Sequence, residues 1–507
     1  MSVRVERPAI GAAPARRATE PERLGPLGAW ALLGVLFGLI AITLPELASD
    51  PWHFRPGSVD PQGVLAPLVR AAGEEWDVGI ARAAAFVAAL LSGAVAVFLL
   101  ARGDRARLRG AGGAEDPKRM EGGPDAAAPT LAEGTPGVPR VARRGLPRWA
   151  AVTLVLAVGV LLMAPSTLLQ LGLRDSTAPW FFTNDSTYQI ELGGDLLLDL
   201  DNPYGHDYRA SGLERFYTRD GSASRRVRDR EVALEHFAYF PGAVVSAAAW
   251  RLLPQPFDDY RLLVLLATLA MLPAALLFPG PLGWRLALGA VLVCNPILVR
   301  SAWFGQNDAP SLLLLVLAFA LVSRRRFGWA AAALAAAVLL KQFAIVALPF
   351  LALIAVKSGA GRRELRRAGL AFGGILAAGI LPFLIADPVA FYDDTVKFGA
   401  GTYRIVGYGL SAILIRLGIL DDREGSYPFA LIALFTWAPL TVWLLFAQRR
   451  AEELWLGAAA FALSILWLMF IGRTFNNYYL VWPMTGAAIA ALMAVGSDRA
   501  PARSPPG

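Results

Sequence analysis

The chain has 507 residues, of which 56% are hydrophobic and only 17% charged, and its mean hydropathy is +0.48. That composition excludes an ordinary soluble domain and, with its long apolar runs, marks an all-α, polytopic integral membrane protein. The net charge of +8 and pI near 9.8 do not signal nucleic acid, because Lys and Arg gather in short patches between apolar runs, where they orient membrane helices. One cysteine, Cys294, rules out an intrachain disulfide, and the three histidines, His53, His206 and His236, are too scattered for a His-rich metal site.

In chain order, residues 1–26 are polar and basic and read as a cytoplasmic segment. The apolar run after them exceeds a signal-peptide core and lacks a cleavage pattern, so residues 27–100 are expected to form a retained transmembrane hairpin. Residues 101–148, rich in Gly, Ala, Pro and Arg, cannot bury enough surface to offset chain entropy and read as a disordered cytoplasmic linker. Residues 149–495 form the main transmembrane domain, with 174–260 as a large external loop containing juxtamembrane helices, and 496–507 a cytoplasmic tail. About twelve transmembrane helices are expected in all, with both termini cytoplasmic in a plasma membrane.

The longest polar, acid-bearing passage is FFTNDSTYQIELGGDLLLDLDNPYGHDY, residues 181–208. Ser186 and Gln189 fit a capping box, predicting a helix that runs to the break at Asp201, Asn202 and Pro203. Asp185 then precedes a helix N-terminus, whose dipole favours the carboxylate, and is a candidate general base. The competing reading makes Asp185 a helix cap and nothing more. Asn184, Asp185 and Ser186 also match a glycosylation sequon, a short and weak pattern.

The side of every later loop depends on residues 237–253. Pro241, Arg251 and the modest length favour a helix lying in the external interface. The basic patches 324–326 and 362–367 then fall inside and Gly305, Gln306, Asn307 and Asp308 outside, as the positive-inside rule requires. The apolar run 327–356 is broken only by Lys341 and Gln342; as a single helix it would bury a lysine at mid-membrane. A hairpin with Lys341 at its tip avoids this. Each arm of about 14 residues reaches roughly 21 Å at 1.5 Å per residue, short of a hydrocarbon core of about 30 Å, so Lys341 should sit recessed beneath an external, water-filled cavity. Arg473, in the last external loop, completes a set of four separated polar groups with Asp185, the 305–308 passage and Lys341. For each a plainer role exists: Lys341 and Arg473 as snorkelling cations, Asp308 as a cap.

The passages NDSTYQIELGGDLLLDLDNPYG, HFAYFPG, WFGQND and RRRFGWAAAALAAAVLLKQFAIVALPFLAL, in that order, resemble the GT-C membrane glycosyltransferases, most closely glycosyltransferase family 87. The resemblance runs over about residues 149–495. It implies a GT-C-like fold, and an acid in the first large external loop, here Asp185, as catalytic base. Lys341 and Arg473 are implied to bind the donor phosphate, and Tyr188, Tyr204, His236, Tyr239, Trp303, Gln306, Asn307 and Asp308 to line the substrate site. The implied reaction is inverting transfer of a hexose, mannose favoured, from a polyprenyl-phosphate sugar to the hydroxyl of a lipid- or glycan-linked acceptor at the external face. No cofactor is called for, and no metal is indicated, although aspartates have the chemistry to hold a hard cation. The N-terminal hairpin, the linker and the arginine-rich run 215–230 depart from the family pattern. A secondary transporter or flippase of an anionic or lipid-linked substrate is the rival class, since recessed charges also line transport paths. A non-catalytic membrane assembly partner is the third.

Overall fold

The computed structural model describes residues 23–24, 26–49, 59–71, 146–216, 234–402, 405–421, 423 and 426–497. The expected second span at 79–100, most of the linker, most of the arginine-rich run 215–230, Tyr403, Arg404 and the last residues of the tail lie outside them.

Helix follows helix, usually from a proline or an asparagine cap that pre-sets the first turn. The helices are α1 (Pro26–Ser49), α2 (Arg148–Asp175), α3 (Asp185–Leu198), α4 (Pro241–Arg251), α5 (Arg261–Ala275), α6 (Leu282–Val293), α7 (Pro296–Phe304) and α8 (Ala309–Ser323). They continue as α9 (Phe327–Leu340), α10 (Leu348–Lys357), α11 (Arg362–Ala386), α12 (Pro388–Tyr392), α13 (Leu410–Arg416), α14 (Phe429–Arg450), α15 (Trp455–Phe470) and α16 (Val481–Ser497). Two short pairings join distant segments: Arg23–Leu24 runs antiparallel to Leu146–Pro147, and Val406–Gly407 runs parallel to Thr474–Phe475.

About twelve spans are expected from hydropathy, and the helices sort into two kinds. Among the described residues four helices are long and apolar enough to cross a membrane, or five if the bent pair α6 and α7 is counted as one; six more apolar helices are shorter. The bend between α6 and α7 is 43° and falls at Asn295, whose side chain caps the second helix at Ile297 N (2.9 Å), with Pro296 opening it. Sequence hydropathy registers the apolar run; the break comes from the Asn-Pro pair inside it.

The bundle has two ends of different character. At one, the Arg325 guanidinium reaches Gly359, Lys357 Nζ donates to the Gln448 carbonyl (2.8 Å), Arg324 donates to the Leu277 carbonyl, and Gly280 packs on Gly496. Arg324, Arg325, Arg326, Arg449 and Arg450 therefore gather there, beside the start of α11 with its own arginines. At the opposite end lie Asn307, Lys341 and the N-terminus of α3. The run 327–357 goes up as α9, turns at Lys341 in extended conformation (φ −151°, ψ 117°), and descends through the 3-10 turn Gln342–Ala347 into α10. Its two arms splay: α9 packs on α8 and α11, α10 on α14 and α15.

Helix α4 has 11 residues, too few to cross a bilayer, and lies along α3. Contact between the two is backbone-close because of glycine. A Cβ on Gly194 would stand 2.8 Å from Ala248 N and 2.9 Å from the Ala247 carbonyl carbon, and one on Gly193 would meet the Phe237 ring at 2.7 Å. A buried ionic cluster fastens the same helix to the bundle. Arg174 binds Glu191 and Asp259 at 2.6 Å each, Tyr260 N donates to Glu191 (2.8 Å), and Arg261 bonds Asp259 as well as the carbonyls of Phe182 and Trp303. Burial pushes the Asp259 carboxyl up, but Arg261 and Arg174 outweigh it and hold that group well below the usual carboxylate range. For Glu191 burial prevails over Arg174 and raises it.

Because backbone faces Gly194, the cost of a side chain there cannot be relieved by a rotamer change. Gly194→Val should destabilise the protein by about 1–3 kcal/mol through overpacking, read as a lowered thermal midpoint in detergent. Leu198→Ala, at an exposed position near the end of the same helix, should change that midpoint little.

Candidate functional site

At the end of the bundle away from the arginines lies a cavity of about 550 Å³. Three sources build its polar wall: the first turn of α3, the turn between α7 and α8, and the turn between α9 and α10. A fourth, the segment between α15 and α16, faces them with Arg473, Asn476, Tyr478 and Tyr479.

The N-terminus of α3 starts two residues earlier than its pattern suggests. Asn184 is the cap, its Oδ1 accepting from Ser186 N (2.9 Å) and Ser186 Oγ (2.6 Å), so the expected Ser186 and Gln189 box is not formed. Gln189 instead donates to the His236 carbonyl (2.8 Å). Asp185 occupies the first helical turn, accepts from Ser186 N (2.8 Å) and lines the cavity. The helix ends at Leu198, before the Asp-Asn-Pro break, where Leu200 takes a positive φ of 64°. The asparagine beside the aspartate competes for the cap and wins it, which relieves the Asp185 carboxylate of that task.

Gly305 ends α7 in the left-handed region (φ 95°), its N–H bonded to the Ser301 carbonyl (2.9 Å). Its own carbonyl accepts from Thr187 Oγ1 and, at 3.4 Å, from Ser186 Oγ. This contact joins the loop helix to the bundle beside the cavity, and a Cβ at Gly305 would lie 2.7 Å from the threonine oxygen. Ser301 Oγ fixes Gln306 through its Oε1 (2.7 Å). Asp308 makes no cap with its side chain; its Oδ1 accepts from Trp482 Nε1 at 2.9 Å and lies 3.1 Å from Lys341 Nζ. Lys341 also donates to Asn307 Oδ1 (2.6 Å) and sits 6.0 Å from the centre of the Tyr239 ring. A lysine bound this way is held inside the site and does not snorkel outward.

Arg473 is 5% exposed, and burial pulls its pKa below the usual arginine value. Its backbone is fixed from outside the motif: Val406 N donates to the Arg473 carbonyl (3.1 Å), and Ser411 Oγ to that of Gly472 (3.0 Å).

Of the expected site residues, Asp185, Tyr239, Gln306, Asn307, Asp308, Lys341 and Arg473 line the cavity together. Tyr188, Tyr204, His236 and Trp303 do not. Tyr188 OH donates to the Ser211 carbonyl (2.7 Å) and Tyr204 OH to the Tyr239 carbonyl (2.8 Å), the Tyr204 ring packing edge-on against Phe237, Phe383 and Phe391. His236 Nδ1 lies 2.5 Å from Asp394 Oδ1, and Trp303 is 1% exposed, its carbonyl taken by Arg261. In these four the aromatic or imidazole group supports the walls. Residues not anticipated include Gln189, Asn476 and Tyr478, whose polar character next to apolar runs was the available signal, and Asp394, which also accepts from Gly205 N (2.8 Å). Among the described residues no group of three or more His, Cys, Asp or Glu is placed to hold a metal ion. The lining also holds apolar side chains, among them Phe343, Ile345, Val346, Phe429, Leu468 and Met469.

Removing one member of a buried ion pair leaves the other uncompensated. Lys341→Met should therefore cost about 3–5 kcal/mol of stability, and Lys341→Met with Asp308→Asn should recover most of it. Thermal unfolding of the single and double variants checks both.

A search among curated proteins found no significant match. A crystal structure of ArnT from Cupriavidus metallidurans bound to undecaprenyl phosphate is similar, with 19% identity and a TM-score of 0.39, over 70% of this chain and 60% of that one. The chain thus spans under two thirds of the length of that protein. Residues 237–472 match the model for glycosyltransferase family 87, a stretch that contains Tyr239, Asn307, Asp308 and Lys341 and stops one residue short of Arg473, with Asp185 upstream of it. Over that stretch the chain is similar to glycosyltransferase family 87.

Proposed function

We propose that this chain is a membrane glycosyltransferase that moves a hexose, mannose favoured, from a polyprenyl-phosphate sugar to the hydroxyl of a lipid- or glycan-linked acceptor. The observation that carries the reading is that one cavity is lined by a carboxylate (Asp185), two cations (Lys341 and Arg473) and apolar side chains. Those are the three kinds of group that an acceptor hydroxyl, a phosphate and a polyprenyl chain require.

In this reading the Asp185 carboxylate takes the proton of the acceptor hydroxyl as its oxygen attacks the anomeric carbon. The bond from that carbon to the phosphate oxygen breaks with inversion, and the electron pair leaves on the polyprenyl phosphate, which departs as the second product. Arg473 and the Lys341 cluster stabilise the charge that develops there, and because their geometry is fixed before reaction, little reorganisation is needed. Helix α3 supports Asp185 in the charged form, since its carboxylate lies in the first turn, at the positive end of the helix dipole. The apolar side chains of Phe343, Ile345 and Phe429 take the isoprenoid next to the phosphate. The arginine-rich end would face the cytoplasm and the cavity the outside of the plasma membrane, the orientation that the positive-inside rule supports.

Asp185→Asn removes the proton acceptor while leaving the Asn184 cap in place. Turnover should fall by about 10²- to 10⁴-fold, the usual weight of general-base catalysis, with the thermal midpoint nearly unchanged. Asn184→Ala should do the reverse and cost about 1 kcal/mol of stability. Release of polyprenyl phosphate from a labelled polyprenyl-phosphate mannose, followed in purified protein, measures the first; full turnover by Asp185→Asn would place the base elsewhere, and substrate uptake into sealed vesicles without release would favour a transporter.

A further inference from the structure

We propose that the side-chain amide of Asn307 is a phosphate-binding donor, oriented by Lys341, and that the cavity takes its phosphate oxygen at Asn307 Nδ2; this rests on the lipid-phosphate reading above. Asn307 lines the cavity and is only 6% exposed. Its Oδ1 lies 2.6 Å from Lys341 Nζ. An ammonium has protons to give and no lone pair, so the atom facing it must be the amide oxygen, and the usual ambiguity between the two ends of an asparagine is removed. The amide nitrogen is thereby fixed at the other end, and it finds no hydrogen-bond partner among the described residues. A buried N–H donor is satisfied in nearly all folded proteins, and here the acceptor has to come from whatever fills the cavity.

The neighbours select the kind of acceptor. Lys341 is engaged by the Asp308 carboxylate (3.1 Å), which is itself held by Trp482. An anion approaching the lysine directly meets that carboxylate, so much of the positive charge is compensated at its source. Through Asn307 the cation still acts: an amide whose oxygen accepts from an ammonium is polarised, which strengthens its N–H as a donor to an anion. Arg473 lines the same cavity and supplies formal charge. The phosphate is thus met by a charged guanidinium and by a polarised neutral amide, with Lys341 acting as a positioning residue behind the latter.

The test is binding of undecaprenyl phosphate, which carries the phosphate but no sugar, to detergent-purified protein. Asn307→Leu, close in size and uncharged, should weaken it by about 10- to 100-fold, the range for a hydrogen bond to a charged group, with the thermal midpoint followed alongside. In a Lys341→Met background the amide loses its orienting ammonium, so Asn307→Leu should weaken binding by clearly less than it does in the wild type; an undiminished effect there would overturn the positioning by Lys341. Unchanged binding by Asn307→Leu overturns it, as does weakening confined to the sugar-bearing donor, which would place Nδ2 against the sugar. Should Asn307→Leu fail to fold, Asn307→Asp keeps an acceptor for Lys341 and removes the donor: it should bind more weakly, and wild-type affinity would again refute the assignment. A wild-type protein that binds undecaprenyl phosphate in neither form strikes the proposed function itself, whereas normal wild-type binding with a silent Asn307 strikes this inference alone.

Discussion

An ammonium group enclosed among apolar helices has to be paired, and the pairing of Lys341 organises the floor of the cavity. Its partners come from one turn, Asn307 and Asp308 between α7 and α8, and Asp308 in turn accepts from Trp482 on α16. Separated stretches of chain, which hydropathy alone would treat as independent spans, are thereby fixed to one another by a short chain of charge-assisted hydrogen bonds. The lysine reaches this position because its helix stops: α9 ends at Leu340, the chain turns through an extended residue, and the descending arm splays away from α9 toward α14 and α15. A continuous helix would leave the same lysine facing lipid or a packed neighbour, at much greater cost.

The opposite wall obeys a different constraint. Helix α3 belongs to a loop, and loops move unless their backbone is tied down. Here the ties are close glycine contacts with α4, the Thr187 bond to the Gly305 carbonyl, and the ion cluster of Arg174, Glu191, Asp259 and Arg261. Burying such a cluster is no efficient source of stability. What it achieves is register, since Arg261 binds the carbonyls of Phe182 and Trp303 together and so sets the distance between the start of α3 and the end of α7. Asp185 lies in the first turn of α3, at one of those two points.

How far sequence could go follows from which interactions are local. The all-α architecture, the short α4, the turn at Lys341 and the separation of the arginines from the acidic and amide groups were all readable, because each depends on hydropathy, a charge in an apolar run, or a proline. The gathering of Asp185, the 305–308 turn, Lys341 and Arg473 at one end was legible for the same reason. The places of the aromatic residues were less legible: Tyr188, Tyr204 and Trp303 stand outside the cavity lining, and their hydroxyl and carbonyl partners, at Ser211, Tyr239 and Arg261, lie far along the chain. The cap on α3 was misplaced by two residues since Asn184, Asp185 and Ser186 are all good caps and only the backbone geometry ranks them. Asp394 bonds His236 and Gly205 across a separation of more than 150 residues, which no local pattern encodes.

The two halves of the site consequently differ in how they are anchored. The cations and the Asn307 amide sit in the stretch matched by the family model or directly after it, Lys341 and Asn307 held by each other and by Asp308, and Arg473 through its backbone by Val406. Asp185 comes from outside that stretch, on a helix fastened by separate contacts. Under the proposed function this arrangement has a use: groups that meet a departing phosphate gain most from being preorganised, whereas a group that meets an incoming hydroxyl must also leave room for the acceptor. With Asp185 as the proposed base, the bonds of Ser186 and Thr187 to the Gly305 carbonyl tie its helix to the turn that carries Asn307 and Asp308, and so set its distance from the proposed phosphate site.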